Sequence, residues 1–197
     1  MGKHIITINR MHGSNGRRIG KALADALGIK FYDRELIRLA SEQKGIPYDE
    51  LVKVDEKRAS KWRYPVESDI QMQPQYRFHP MNDVLFETES EIIRGLVDEE
   101  CVIVGRCANR ILGDKALSVF IYAPAEYRIR TVMERSDRTE KSARSMIKKM
   151  DKERRYYYEY FTDENWLDME QYDLCIDSSK FSQNQIIKML TALYHAE

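Results

Sequence analysis

Long apolar runs are missing: none approaches the roughly 18 residues a membrane-spanning helix needs, so no membrane association is expected. Cysteine is scarce. Cys101, Cys107 and Cys175 form no CxxC pair, and an odd count of isolated thiols suits a reducing, cytoplasmic compartment. Excess charge of either sign is absent, with 32 basic and 32 acidic residues. That balance argues against a general nucleic-acid coat or a membrane-surface protein. The dinucleotide fingerprint GxGxxG is also lacking, which weakens an oxidoreductase reading. Met1-Gly2-Lys3 leads directly into an apolar run, so no targeting segment is expected. No internal repeat or linker divides the chain, and residues 1–197 read as a single domain.

The most informative stretch is His4 to Gly28. Ile5-Ile6-Thr7-Ile8 suits a strand buried on both faces. A turn with Gly13, Ser14, Asn15 and Gly16 follows, and then Ile19, Leu23 and Leu27 mark one helical face. Gly28 stands where a left-handed residue would stop that helix. Strand, glycine turn and helix together form an anion nest: helix-start amides lack partners, the dipole adds positive charge, and Arg17 and Arg18 add more. A phosphate is the expected guest. Against the P-loop consensus GxxxxGK[ST], Met11 replaces the first glycine, Arg17 the lysine and Arg18 the magnesium-binding hydroxyl. Ser14 is the nearby hydroxyl that could substitute.

Downstream, Ile29–Tyr32 reads as a strand, with Asp33 at its end and a helix from Arg34 to about Lys44. Asp33 can cap that helix, and it also stands at the sheet edge where α/β folds bind ligands. A polar helix is expected from Tyr48 to about Ser60. Residues 61–81 hold no period and carry Pro65, Pro74 and Pro80, which reads as an irregular flap. A helix is expected over 82–99, then a buried strand Cys101–Val104 ending in Gly105-Arg106. The arginine there offers a planar fork to a phosphate or carboxylate. A strand over 117–123, a helix opened by Pro124, and a long polar helix from Thr139 to Phe161 follow. Residues 136–161 are rich in arginine, and a helix this polar either crosses solvent or covers something anionic, the second reading making it a lid. Tyr172–Asp177 is the last strand, and Ser182 with Gln185 forms a capping box for a closing helix. Apolar strands alternating with helices imply a parallel sheet covered on both faces.

In their order and spacing, IITINRMHGSNGRRIGKALADALG, IKFYDRELI, CVIVGRCANRIL, VFIYAPAEYRIRTVMER and DKERRYYYEYFTDENWLDMEQYDLCIDSS resemble the cytidylate kinase-like family of P-loop nucleoside monophosphate kinases. The resemblance implies an α/β class, three-layer α/β/α P-loop nucleotide kinase fold with a five-stranded parallel sheet and a helical lid. It implies transfer of the ATP γ-phosphoryl group, with Mg2+, to a nucleoside monophosphate such as CMP or dCMP, or to a related small acceptor. Gly13, Ser14, Asn15, Gly16, Arg17 and Arg18 would cradle ATP. Asp33 would hold the acceptor nucleotide, and Gly105 with Arg106 its phosphate, under the 61–81 flap. Asp151 and Arg154 match part of the lid cluster, while Arg135 and Arg138 are candidates by position only. Arg17, Arg106 and Arg154 are the expected catalytic residues, and no residue is assigned to the metal. The altered loop keeps a second reading open, a catalytically weak or inactive nucleotide-binding regulatory module. Small-molecule nucleotides are the expected partners, nucleic acid is not, and a homo-oligomer is left open.

Overall fold

A computed structural model describes residues 4–57, 63–68 and 75–196 of the chain. Five strands form one parallel sheet: β1 (Ile5–Arg10), β2 (Lys30–Tyr32), β5 (Cys101–Val104), β6 (Ala116–Tyr122) and β7 (Leu174–Asp177). Their spatial order is β2-β5-β1-β6-β7, with Ile8 registered beside Val104 on one side and beside Val119 on the other. The chain thus leaves β1 in one direction for β2 and β5 and in the other for β6 and β7. The crevice beyond the carboxyl end of such a switch-point strand is where open α/β sheets bind ligands.

Alternation along the strands explains the layers. Ile6 and Ile8 of β1 face α1 (Gly16–Leu27) and α8 (Gln183–Tyr194), packing with Ile19, Leu23, Ile186 and Leu190. Ile5 faces the other way, into a core shared with Leu36 of α2 (Arg34–Lys44), Ile93 of α4 (Met81–Gly95) and Leu112 of α5 (Ala108–Leu112). Helices on both faces give the three-layer arrangement, as the apolar strand pattern implied.

Two stretches depart from the sequence reading. Of the helix expected from Tyr48 to about Ser60, the described residues show α3 (Tyr48–Val52), and residues 58–60 lie outside them. Asn82 ends it by donating from Nδ2 to the carbonyls of Val54 (3.0 Å) and Lys57 (2.9 Å), which holds that segment as a loop, and Glu56 takes a left-handed φ of 47°. Within 61–81, the described residues form an antiparallel hairpin rather than irregular chain: β3 (Arg63–Ser68) pairs with β4 (Gln75–Pro80). Each strand of a two-stranded ribbon has a free edge, which tolerates Pro65 and Pro80 and hides the usual alternation. Residues 61–62 and 69–74 of the expected flap lie outside the described residues.

The two remaining helices sit over the carboxyl edge of the sheet. α6 (Ala125–Arg135) follows Pro124, and α7 (Glu140–Thr162) is capped by Thr139, whose hydroxyl accepts from Ser142 N–H at 3.3 Å. α7, which covers most of the arginine-rich stretch 136–161, is seated at both ends. Ala143 and Ile147 pack on Ile129 and Val132 of α6, while Tyr157 and Tyr158 enter an aromatic cluster with Phe120, Trp166 and Tyr172.

Candidate active site at the glycine turn

The turn after β1 curls because Gly13 (φ 83°) and Asn15 (φ 67°) are both left-handed. The first α1 bond runs from Ile19 N–H to Asn15 O at 2.9 Å, which leaves the amides of Gly16, Arg17 and Arg18 without helical partners. Gly16 is required by close approach: a Cβ there would lie 2.5 Å from Arg10 Cβ. Ser14 is fully buried, and its hydroxyl donates to the carbonyls of Met11 and Ile121, each at 2.9 Å. In this arrangement the hydroxyl that the sequence offers as a substitute magnesium ligand braces the turn.

Asp151 on α7 fixes the turn from above. Its Oδ1 accepts His12 N–H at 2.7 Å, and its Oδ2 accepts Arg128 Nη1 at 2.6 Å. Arg128 in turn donates to the carbonyls of His12 and Ala123. Burial, with Arg154 close by, pushes the His12 imidazole down to about 4, so the ring is neutral at pH 7. Arg154 donates to the Arg10 carbonyl at 3.1 Å. Burial and the nearby Arg10 lower its guanidinium to about 10, which leaves it charged at neutral pH.

The turn borders a cavity of about 160 Å³, lined by Gly13, Asn15 and Gly16 and by five arginines: Arg10, Arg17, Arg18, Arg135 and Arg154. A larger hollow of about 620 Å³ lies between α6 and α7, but it lacks the turn and its free amides, so size alone does not mark the site.

Beside this cavity is a second charged group, almost wholly buried. Arg106 is 1% exposed and donates to Glu89 (2.8 Å), Asp55 (3.0 Å), Asp33 (3.1 Å) and the Val104 carbonyl (3.1 Å). It reaches them because Gly105, Arg106 and Cys107 all take left-handed φ, at 81°, 54° and 54°. Asp33 makes no cap bond to its helix and joins the two charged groups instead, accepting from Arg17 Nε at 2.5 Å and from Arg106. Burial alone would raise the Asp33 carboxyl, but Arg106, Arg10 and Arg17 outweigh it and hold the group below the usual carboxylate range. Burial pushes Glu89 the other way, up to about 8, against the pull of Arg106.

Of the residues expected at the site, Gly13, Asn15, Gly16, Arg17, Arg18, Arg135 and Arg154 line one cavity. Asp33 borders it through Arg17, and Asp151 acts through the His12 amide. Arg106 lies outside the cavity, engaged by carboxylates, with Gly105 before it. Arg138 is elsewhere: Ser136 turns extended at the end of α6, and Arg138 donates to Ser142 at the start of α7. Sequence reasoning missed Arg10, Glu56, Glu89 and Arg128. Two had a signal. Arg10 ends a buried strand at the ligand edge, and Glu89 lies one turn after Leu85 on the apolar side of α4.

The family model described as "Cytidylate kinase-like family" matches residues 5–180. The chain belongs to that family. This member is 25% identical to a cytidylate kinase from Pyrococcus horikoshii over 193 residues, covering 96% of this chain and 88% of the relative. A cytidylate kinase from Pyrococcus furiosus is 26% identical, covering 95% and 86% of the two chains. A crystal structure of an uncharacterized protein from Eubacterium ventriosum superposes at a TM-score of 0.72 with 28% identity, covering 98% of this chain and 99% of that one. A shikimate kinase structure from Bacteroides thetaiotaomicron, at TM-score 0.56 and 15% identity over 98% of each chain, shares the fold. The sheet, helices and family assign this member to the P-loop kinase fold. Among the described residues no helix is long and apolar enough to cross a membrane.

Proposed function

We propose that the protein transfers the γ-phosphoryl group of ATP to a nucleoside monophosphate, with CMP or dCMP the first candidates. The observation that carries this reading is the convergence of five arginines on the free amides of the glycine turn. Phosphoryl transfer asks little covalent chemistry of the protein; it needs alignment and neutralisation of spread negative charge. The turn amides with Arg17 and Arg18 would hold the donor phosphates, and Arg135 and Arg154 would close on them from α6 and α7. Asp33 links this donor side to Arg106, so that Arg106 acts as a positioning residue and Arg10 faces the acceptor. His12, neutral at pH 7 and with its main-chain N–H taken by Asp151, is assigned no part in proton transfer.

Among the described residues no group of three His, Cys, Asp or Glu side chains could hold a metal ion, and Ser14 is engaged in the turn. No step is therefore assigned to it. Its entry with the ATP phosphates accords with the way Mg2+ is usually held, largely by substrate oxygens and water.

Incubation with ATP, Mg2+ and a panel of nucleoside monophosphates, monitored for ADP, tests the reading. ADP formation that depends on the added monophosphate supports it. Tight ATP binding without turnover on any acceptor would favour the regulatory module instead.

A further inference from the structure

The residue that fills the acceptor side belongs to the chain itself. Glu56 lies in the loop after α3, and both of its carboxylate oxygens are bonded. Arg10 Nη1 donates to Oε1 at 2.6 Å and Arg10 Nη2 to Oε2 at 2.9 Å. The main-chain N–H of Arg106 donates to Oε1 at 3.2 Å, and Arg154 Nε lies 3.5 Å from Oε2. A forked arginine, a strand-end amide and a second arginine are the donor set that grips a phosphate or carboxylate. Glycine at position 105 makes room for it, since a Cβ there would lie 1.8 Å from Glu56 Oε1.

Two further observations point to a site rather than a finished core. Glu56 reaches this place with a left-handed φ of 47°, a conformation that a non-glycine residue adopts at a cost. Around it, two buried polar atoms have no hydrogen-bond partner, Arg10 Nε and Tyr157 OH, and Arg154 Nε has only its 3.5 Å ion pair with Glu56. Core packing selected for stability alone would satisfy such atoms. A ligand with more oxygens than one carboxylate could.

We propose that Glu56 is an intramolecular stand-in for the anionic group of the acceptor, and that the Asp55–Glu56 turn is a strap which an incoming phosphoryl group displaces. The proposal rests on the kinase reading for the identity of the ligand, but not for the presence of the anion site. Acceptor binding then has two parts: release of Glu56 from Arg10 and the Arg106 amide, and capture of the same donors by phosphate. The strap keeps the arginines ordered and shielded while the site is empty.

The test needs no turnover. Phosphate and CMP are titrated separately into the wild type and into Glu56→Gln by calorimetry. Without a competing carboxylate, the variant should bind at least one of them ten or more times more tightly. Equal or weaker binding of both by a folded variant would overturn the proposal. Should Glu56→Gln fail to fold, hydrogen exchange on the wild type decides. Amides 53–57 should exchange faster once phosphate or CMP is bound; unchanged or slower exchange with both would contradict the strap. Failure of the kinase reading would appear separately, as absent ADP formation while these binding results stand.

Discussion

Asp151 and His12, 139 positions apart, are joined by a 2.7 Å bond from the His12 amide to Oδ1. The bond ties α7 to the glycine turn, and Arg128 secures the other carboxylate oxygen. A charge-assisted bond of this kind contributes about 1.5–3 kcal/mol. Asp151→Ala should therefore lower stability in urea melts by roughly that amount. It should also weaken ATP binding about tenfold, as the free turn loses its set conformation. Asp151→Asn, which keeps an acceptor for His12, should lie between the two.

Arg17 differs from Asp151 in being largely exposed, with 62% of its side chain open to solvent. Its exposed bond to Asp33 adds little to stability, within about 1 kcal/mol. Loss of one charged contact to a phosphoryl transition state costs about 2–4 kcal/mol. Arg17→Ala should therefore melt close to the wild type while kcat/KM falls by one and a half to three decades, roughly. A variant with unchanged kcat/KM would remove Arg17 from the mechanism.

Arg106 should behave in the opposite way. Its replacement by Met would leave Glu89, Asp55 and Asp33 around an apolar chain. Breaking a buried ion pair by removing one partner costs about 3–5 kcal/mol. Equilibrium unfolding should record a loss of that order, and one below about 1 kcal/mol would mean that the carboxylates find other partners.

Much of the frame was legible because the strands are short and apolar on both faces and the helix stops are marked: Gly28 is left-handed where expected, and the Ser182–Gln185 capping box is present. The glycine turn was legible through its spacing. The buried ion network was not, because charged residues such as Asp55, Glu56 and Glu89 read as solvent-facing until tertiary packing surrounds them. The planar fork of Arg106 is visible in the sequence, whereas the carboxylates that engage it come from three other elements. The hairpin escaped notice because its prolines and free edges erase the alternation that marks a strand.

Glu89 gives the molecule a distinctive pH response. Its folded-state value, about 8, lies above the ordinary 4.5, so the folded chain retains a proton that the unfolded chain has lost. Stability from this group is full below the unfolded value and is lost as pH rises towards 8. Asp55, raised by burial, acts with the same sign. His12 has the opposite sign, being held at about 4 against 6.5, and removes stability as pH falls below 6.5. Between pH 6.5 and 8 the carboxyl effect therefore stands alone among these groups. Urea melts should lose stability there with a slope approaching about 1.4 kcal/mol per pH unit for one proton. Glu89→Gln should flatten that slope, and an unaltered slope would assign it to another group.

In the proposed reaction the arginine-lined turn delivers a phosphoryl group to a second bound molecule. Following γ-labelled ATP with Mg2+ and CMP tests it most directly, with the Arg17→Ala protein run alongside. Label should appear in CDP for the wild type, and at a rate lower by one and a half to three decades, roughly, for the variant. Label that stays in ATP, or appears only as free phosphate whichever nucleoside monophosphate is supplied, would contradict it.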